Sequence, residues 1–215
     1  MAQVTDGLRA ALSNPTFYSF FQWFMGGNKA YGDIVTNYIK PFPGMKILDI
    51  GCGPANILYY LENVDYWGYD ISSPYIENAK NRFGALGTFH CQDLKITDLD
   101  ELPEFDVVLA LGLLHHLEDS SVINTLKIAY KALKAGGKLI TMDSCIDSSQ
   151  TPLARFIVLK DRGQNIRNKK GYQDLAGRVF TRLKVDVINK RWPPFTLCMM
   201  ECSKMPNPDE CRHYD

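Results

Sequence analysis

From Met45 to Asp143, short β-branched and apolar runs alternate with stretches whose apolar positions recur three and four residues apart. The runs "MKILDI", "YWGYD", "GTFHC", "FDVVLAL" and "KLITMD" predict five strands, each followed by a turn or helix signal. Between them "NILYYLENV", "SPYIENAKNRFG" and "SSVINTLKIAYKALKAGG" predict helices, the last ending on Lys134 with Gly136 and Gly137 as stop signals. Strand and helix alternating this often imply a parallel sheet covered on both faces. Beyond the repeat, "KVDVINK" and "FTLCMMECSK" predict two further strands, joined by "RWPP", a connection short enough for an antiparallel pair. The expected fold class is α/β: a doubly wound, mostly parallel seven-stranded sheet with an antiparallel last strand and helices on both faces.

Two flanks lie outside the repeat. Residues 1–43 hold the aromatic-dense "TFYSFFQWFM", then Gly26-Gly27, then a second predicted helix, "NKAYGDIVTNYIK", stopped by Pro41. Residues 151–191 carry eleven Lys and Arg against three Asp, an asymmetry hidden by chain totals of 24 basic and 24 acidic residues. At 215 residues the chain fits one domain. We divide it into an N-terminal helical lid (1–43), a core (44–143), a variable basic segment with the start of the last strand pair (144–191), and the last strand and tail (192–215).

The neutral total leaves no global basic footprint for nucleic acid or a membrane surface, which lowers both partner classes without excluding either. No stretch approaches the roughly 20 apolar residues of a membrane span, and "MAQVTDGLRA" is unlike a secretory signal, so a cytoplasmic location is expected. Cys52, Cys91 and Cys145 lie in or next to apolar runs and are expected as buried free thiols, while the spacing of Cys198, Cys202 and Cys211 matches no common zinc pair, so no metal is expected.

The candidate chemistry starts at "DIGCGPA". Gly51 and Gly53 let backbone approach a ligand where an open α/β sheet binds one, and Asp70, ending the second strand, is placed to accept from the hydroxyls of a ribose. Asn56 stands where a dinucleotide fingerprint has its last glycine, which argues against a nicotinamide oxidoreductase. Asp49, just before the first glycine, suits an ammonium better than a pyrophosphate. A cofactor with a ribose and a cationic amino-acid end fits both acids, and S-adenosyl-L-methionine is one.

Taken in order, "LDIGCGPA", "GYDIS", "CQDL", "FDVVLALGLLHHLED" and "LKAGGKLI" resemble a class I S-adenosylmethionine-dependent methyltransferase of the small-molecule type, a Rossmann-like fold. The resemblance covers about Met45 to Asp143; Ala55 departs from it, standing where many members have a third glycine. It implies that Asp49 and the backbone of Gly51, Cys52 and Gly53 face the methionine end of the cofactor and that Asp70 faces the ribose. Ile71 is implied against the adenine, Asp93 and Leu94 at its amino edge, and Ala110 and Leu111 beside the sulfonium. S-adenosyl-L-homocysteine would be the product.

His115 and His116 follow the fourth strand, and either suits a general base at neutral pH, His115 preferred; paired histidines also simply pack or cap. Tyr18 and Gln22 have polar ends that reach a cofactor or acceptor if the aromatic segment closes over the site, with Tyr18 also a catalytic candidate. Phe21 and Trp23 serve equally well as sheet cover. In the basic segment Arg155, Arg162, Arg167 and Tyr172 are candidates for binding an acceptor that carries carboxylate or phosphate; a solvated face is the alternative. Tyr130 and Lys134 have the spacing of a short-chain dehydrogenase pair, but they precede the fifth strand, at the wrong edge of the sheet. The expected activity is methyl transfer to oxygen or nitrogen of a small anionic molecule. A cofactor-binding regulatory or scaffold protein without turnover, and more remotely a nucleic-acid or protein methyltransferase, are the alternatives.

Overall fold

The computed structural model describes residues 27–160 and 163–206. Among these residues lie eight strands: β1 (Lys46–Ile50), β2 (Asp65–Asp70), β3 (Thr88–Cys91), β4 (Phe105–Leu111), β5 (Leu133–Ile146), β6 (Arg167–Asn168), β7 (Arg182–Lys190) and β8 (Phe195–Ser203). Seven of them form one sheet in the order β3-β2-β1-β4-β5-β8-β7, with the two-residue β6 pairing on β5. Every pairing is parallel except those of β8, which runs antiparallel to both β5 and β7. The expected sheet is therefore present, with β8 as the antiparallel strand inserted before β7.

The helices are α1 (Gly27–Ile34), α2 (Ser73–Phe83), α3 (Asp119–Ala132), α4 (Pro152–Leu159) and α5 (Lys169–Ala176). They cover both faces, which explains why the central strands are apolar throughout rather than alternating. In β1, Ile47 packs with Ile34, Ile39, Ile57 and Ile76, whereas its neighbour Leu48 packs with Leu126, Ala129, Tyr172 and Phe180 on the other face.

Three expectations are corrected. "NILYYLENV" makes only the tight helical turn Asn56–Tyr60, because Leu61 is extended and Asn63 takes φ 55°. The helix expected to reach Lys134 stops at Ala132, and Gly136 and Gly137 lie inside β5. There the register slips, Phe105 pairing with Leu133 and Val107 with Lys138, and Gly136 at φ 77° supplies the bend. Cys91 is exposed and Cys52 half-buried, while Cys145 is buried as expected. Tyr130 and Lys134 form no pair: Tyr130 packs on Phe180, and Lys134 Nζ lies 2.7 Å from Asp106.

Candidate functional site

The sheet order reverses between β1 and β4, and the chain leaves β1 there through the glycine turn. Gly51 has φ 72°, and a Cβ on it would stand 2.9 Å from Leu113 Cδ1. Gly53 has φ 54°, and a Cβ on it would meet nothing within 4 Å, so its backbone faces open space. Ala55, the departure from the glycine pattern, adopts φ 54° and ψ 37°, the left-handed conformation a glycine would take without strain. The N–H groups of Gly51 and Cys52 donate to Tyr69 O at 2.7 and 3.0 Å, tying the turn to β2.

Asp70 ends β2 beneath this turn. Its Oδ2 accepts from Gly53 N–H at 3.0 Å and its Oδ1 from Ser72 N–H at 2.8 Å. Burial raises its pKa, and those two backbone bonds oppose the rise.

Asp49 is buried. Its Oδ2 accepts from the Tyr66 hydroxyl at 2.6 Å, while its Oδ1 has no hydrogen-bond partner. Desolvation pushes its pKa up to about 6, with the Tyr66 bond lowering it and the charge of Asp70 raising it further. The Tyr66 hydroxyl is pushed up in turn, by burial and then by the Asp49 charge. This contact depends on Gly68, paired with Asp49 across the strands: a Cβ there would lie 3.0 Å from Tyr66 Cε1 and 2.9 Å from Cys52 Sγ. Beside the pair opens a cleft lined by Tyr31, Asp49, Gly51, Cys52, Asn56, Ile57 and Leu111.

Around this cleft the remaining cofactor candidates take different positions. Ile71 and Asp93 are exposed; Leu94 and Ala110 are core residues. Tyr18, Gln22, Phe21, Trp23 and Arg162 lie outside the described residues.

His115 is only 5 % exposed. Asp143 Oδ1 receives the backbone N–H of His115 at 3.1 Å and stands 2.8 Å from His115 Nδ1, while Asp143 Oδ2 is buried without a partner. Gly163 covers the ring: a Cβ there would fall 2.2 Å from His115 Cδ2. His116 is half-buried with its ring centroid 4.1 Å from that of His115.

Two of the acceptor candidates serve the fold instead. All five N–H donors of Arg167 are engaged: Nε and Nη2 with Asp119 at 2.9 and 2.6 Å, Nη1 with Leu114 O and Asn165 O, Nη2 also with Leu117 O. A guanidinium so occupied pins the histidine loop and has no fork left for a substrate anion. Tyr172 is buried beneath it, its hydroxyl donating to Ser144 O at 2.9 Å and its pKa raised by that burial. Arg155, on α4, is exposed.

Sequence reasoning passed over Tyr31, Tyr66 and Asp143, and took Asn56 only as the missing last glycine of a dinucleotide fingerprint. Only Tyr66 had a legible signal, the glycine two residues on in "YWGYD", since glycine inside a strand marks a close approach.

Among the described residues no group of three His, Cys, Asp or Glu is arranged to hold a metal, and no helix is long and apolar enough to cross a membrane.

Comparison with known proteins gives a family and several relatives. Residues 48–139 match the family described as Methyltransferase domain. Phosphoethanolamine N-methyltransferase 3 of Arabidopsis thaliana is 33% identical over 138 residues, 60% of this chain and 27% of the relative. Probable tRNA methyltransferase 9B of Homo sapiens is 32% identical over 99 residues, 46% of this chain and 21% of the relative. The chain thus spans about a quarter of the length of these two relatives. Among solved structures, Haemonchus contortus phosphoethanolamine N-methyltransferase 2, in complex with phosphomonomethylethanolamine and S-adenosylhomocysteine, superposes with a TM-score of 0.70 at 15% identity, covering 93% of this chain and 59% of that one. A TehB-like SAM-dependent methyltransferase from Corynebacterium glutamicum gives 0.62 at 20% identity, covering 89% of this chain and 99% of that one.

Proposed function

The core of this chain belongs to the class I S-adenosylmethionine-dependent methyltransferases, and from that premise we propose that it transfers a methyl group to oxygen or nitrogen of a small anionic acceptor. One observation carries the reading: a carboxylate oxygen of Asp49 is buried beside the cleft with nothing to satisfy it. Such an atom calls for a cation, and the ammonium of an amino-acid-bearing cofactor is of the right sign. Asp70 fits the ribose, because each of its oxygens accepts a single backbone N–H and retains acceptor capacity for a hydroxyl. The open backbone at Gly53 leaves room for close approach.

S-adenosylmethionine, when bound, supplies a methyl already activated on a sulfonium, so in-line positioning of the acceptor accounts for most of the rate. The chain's own part is to hold the acceptor and take its proton. Asp143, accepting from His115 Nδ1–H, fixes the tautomer that carries its lone pair on Nε2, the form a general base needs. His116, less buried, is the second candidate. The phosphoethanolamine enzymes among the relatives support a nitrogen acceptor carrying phosphate, and exposed Arg155 is the candidate contact for it.

Titration calorimetry with S-adenosylmethionine, with NADH as control, tests the donor site. Binding of the methyl donor alone, abolished in Asp70→Ala, is expected; donor binding that survives this substitution would refute the assignment. A second reading, donor binding without turnover, is favoured by the burial and internal pairing of His115. Release of S-adenosylhomocysteine with a panel of phosphorylated amines decides between them.

A further inference from the structure

Helix α4 turns only Ala154 and Val158 fully into the core, leaving Leu153, Phe156 and Leu159 at 56%, 59% and 51% exposure. Spaced three residues apart, these side chains fall within about 120° of the helix circumference. Trp192, in the β7–β8 turn, is the most exposed of the large apolar residues described, at 80%.

Polar bonds bring these two features to one end of the molecule. Asn189 Nδ2 donates to Ser149 Oγ at 2.8 Å, Gln150 Nε2 donates to Thr196 Oγ1 at 3.0 Å, and Thr196 Oγ1 donates to Asn189 Oδ1 at 2.8 Å. Ser149 and Gln150 lead directly into Thr151, whose hydroxyl caps α4 by accepting from Ala154 N–H at 3.2 Å. The base of the hairpin and the first turn of the helix therefore form one joint, with Trp192 and Leu153 each three residues from it. Because β5 and β7 are both antiparallel to β8, this joint lies at the carboxyl end of β5, the side of the sheet on which the glycine turn also opens.

Among the described residues, the charges around this apolar surface are almost all of one sign. Arg155, Lys160 and Arg191 are exposed and Lys190 is half-buried; Lys160 Nζ stands 5.7 Å from the centroid of the Phe156 ring. Against these four cations stands Asp147, whose carboxylate accepts from the Ser149 N–H and hydroxyl. Tryptophan and phenylalanine seated among leucines, with lysine and arginine around them, match the interface of an anionic bilayer: rings at the headgroup level, cations on the phosphates. An acidic protein surface would satisfy the cations but not four exposed apolar side chains.

We infer that this end of the molecule docks peripherally on an anionic lipid surface. Trp192, Leu153, Phe156 and Leu159 enter the interface, and Lys160, Lys190 and Arg191 meet lipid phosphates. Docking in this pose turns the carboxyl edge of the sheet, and the site on it, toward the bilayer.

The test is co-sedimentation with phosphatidylcholine vesicles prepared with and without phosphatidylserine. The chain is expected to partition onto the anionic vesicles only, less so in high salt, with its tryptophan emission shifted to the blue. The double variant Phe156→Ser/Trp192→Ser should lose about tenfold or more of that partitioning, and Phe156→Leu/Trp192→Phe should retain most of it. Circular dichroism and the thermal midpoint must match across the variants. Failure of the wild-type chain to bind anionic vesicles overturns the inference, as does equal binding by the serine variant. So does a wild-type dimer that the serine variant dissociates without any vesicle binding, since the patch would then join two copies of the chain.

Discussion

Replacing Asp49 by Asn is expected to stabilise the empty protein while removing its affinity for the methyl donor. Burial lifts the Asp49 pKa from 3.8 to about 6, so the folded state holds this proton more tightly than the unfolded chain does. Its stabilising contribution is complete below about pH 3.8 and is lost as pH rises through about 6. By about pH 8 the ionised group costs about 3 kcal/mol, from roughly two units at about 1.4 kcal/mol each. Near pH 5 roughly half of that cost applies. Asn keeps an oxygen for the Tyr66 hydroxyl but sets a buried NH2 where Oδ1 lacks a partner, an unmade hydrogen bond worth about 1–2 kcal/mol. The net gain is then about 1–2 kcal/mol at about pH 8, a rise of several degrees in Tm for a chain of this length, shrinking to about zero near pH 5. Saturating S-adenosylmethionine should reverse the order, since a ligand at about a hundred times its Kd adds about 2.7 kcal/mol to the protein that binds it. Scanning fluorimetry on both proteins, at both pH values, with and without donor, reads the four differences between variant and wild type. A variant less stable than wild type at about pH 8 without donor, or equally stabilised by donor, refutes the account of Asp49 as a buried anion awaiting a cation.

Gly51→Ala should lower stability by about 1–2 kcal/mol and weaken donor binding, because alanine is strained at φ 72° and its Cβ would displace Leu113; urea melts and calorimetry measure the two effects. Arg167→Gln should cost about 2–4 kcal/mol in a urea melt, since it removes the contact to Asp119 and leaves the carbonyls of Leu114, Leu117 and Asn165 without their donor. An unchanged midpoint with a raised acceptor KM would return Arg167 to the role of substrate clamp.

Patterning along the chain was enough to find the strands, because a parallel sheet buried on both faces leaves near-continuous apolar runs. "FDVVLAL" coincides with β4 from end to end. The failures come where a residue's local preference is overridden by register. Gly136 and Gly137 look like a helix stop, but they serve a bulge whose need arises only when β5 is paired with β4. The partners of Arg167 are equally hidden: its carboxylate lies 48 residues away in sequence, and a carbonyl acceptor leaves no trace in composition at all. The acids at the strand ends were legible because strand ends are fixed by the apolar pattern. For Tyr66 only a close approach was legible, from Gly68; that the approach ends on Asp49 was not, because the partner is set by strand register.

Where the fold leaves polar atoms unsatisfied is itself informative. Three buried side-chain oxygens among the described residues have no hydrogen-bond partner: Asp49 Oδ1, Asp143 Oδ2 and Thr141 Oγ1. Such atoms are scarce in folded proteins, and here they lie on two strands, β1 and β5, which flank β4 on either side. The register puts Asp49 level with Leu109 and Met142 level with Leu111, so the two carboxylates bracket the carboxyl end of β4, where the chain passes into the histidine loop. Packing faults alone have no reason to collect on the two strands that flank β4. A site that must receive a charged ligand and a proton does have one, because a group satisfied internally has less to offer a ligand. That is why Asp49, whose ionised form makes the empty fold less stable, is also a residue on which the proposed chemistry depends.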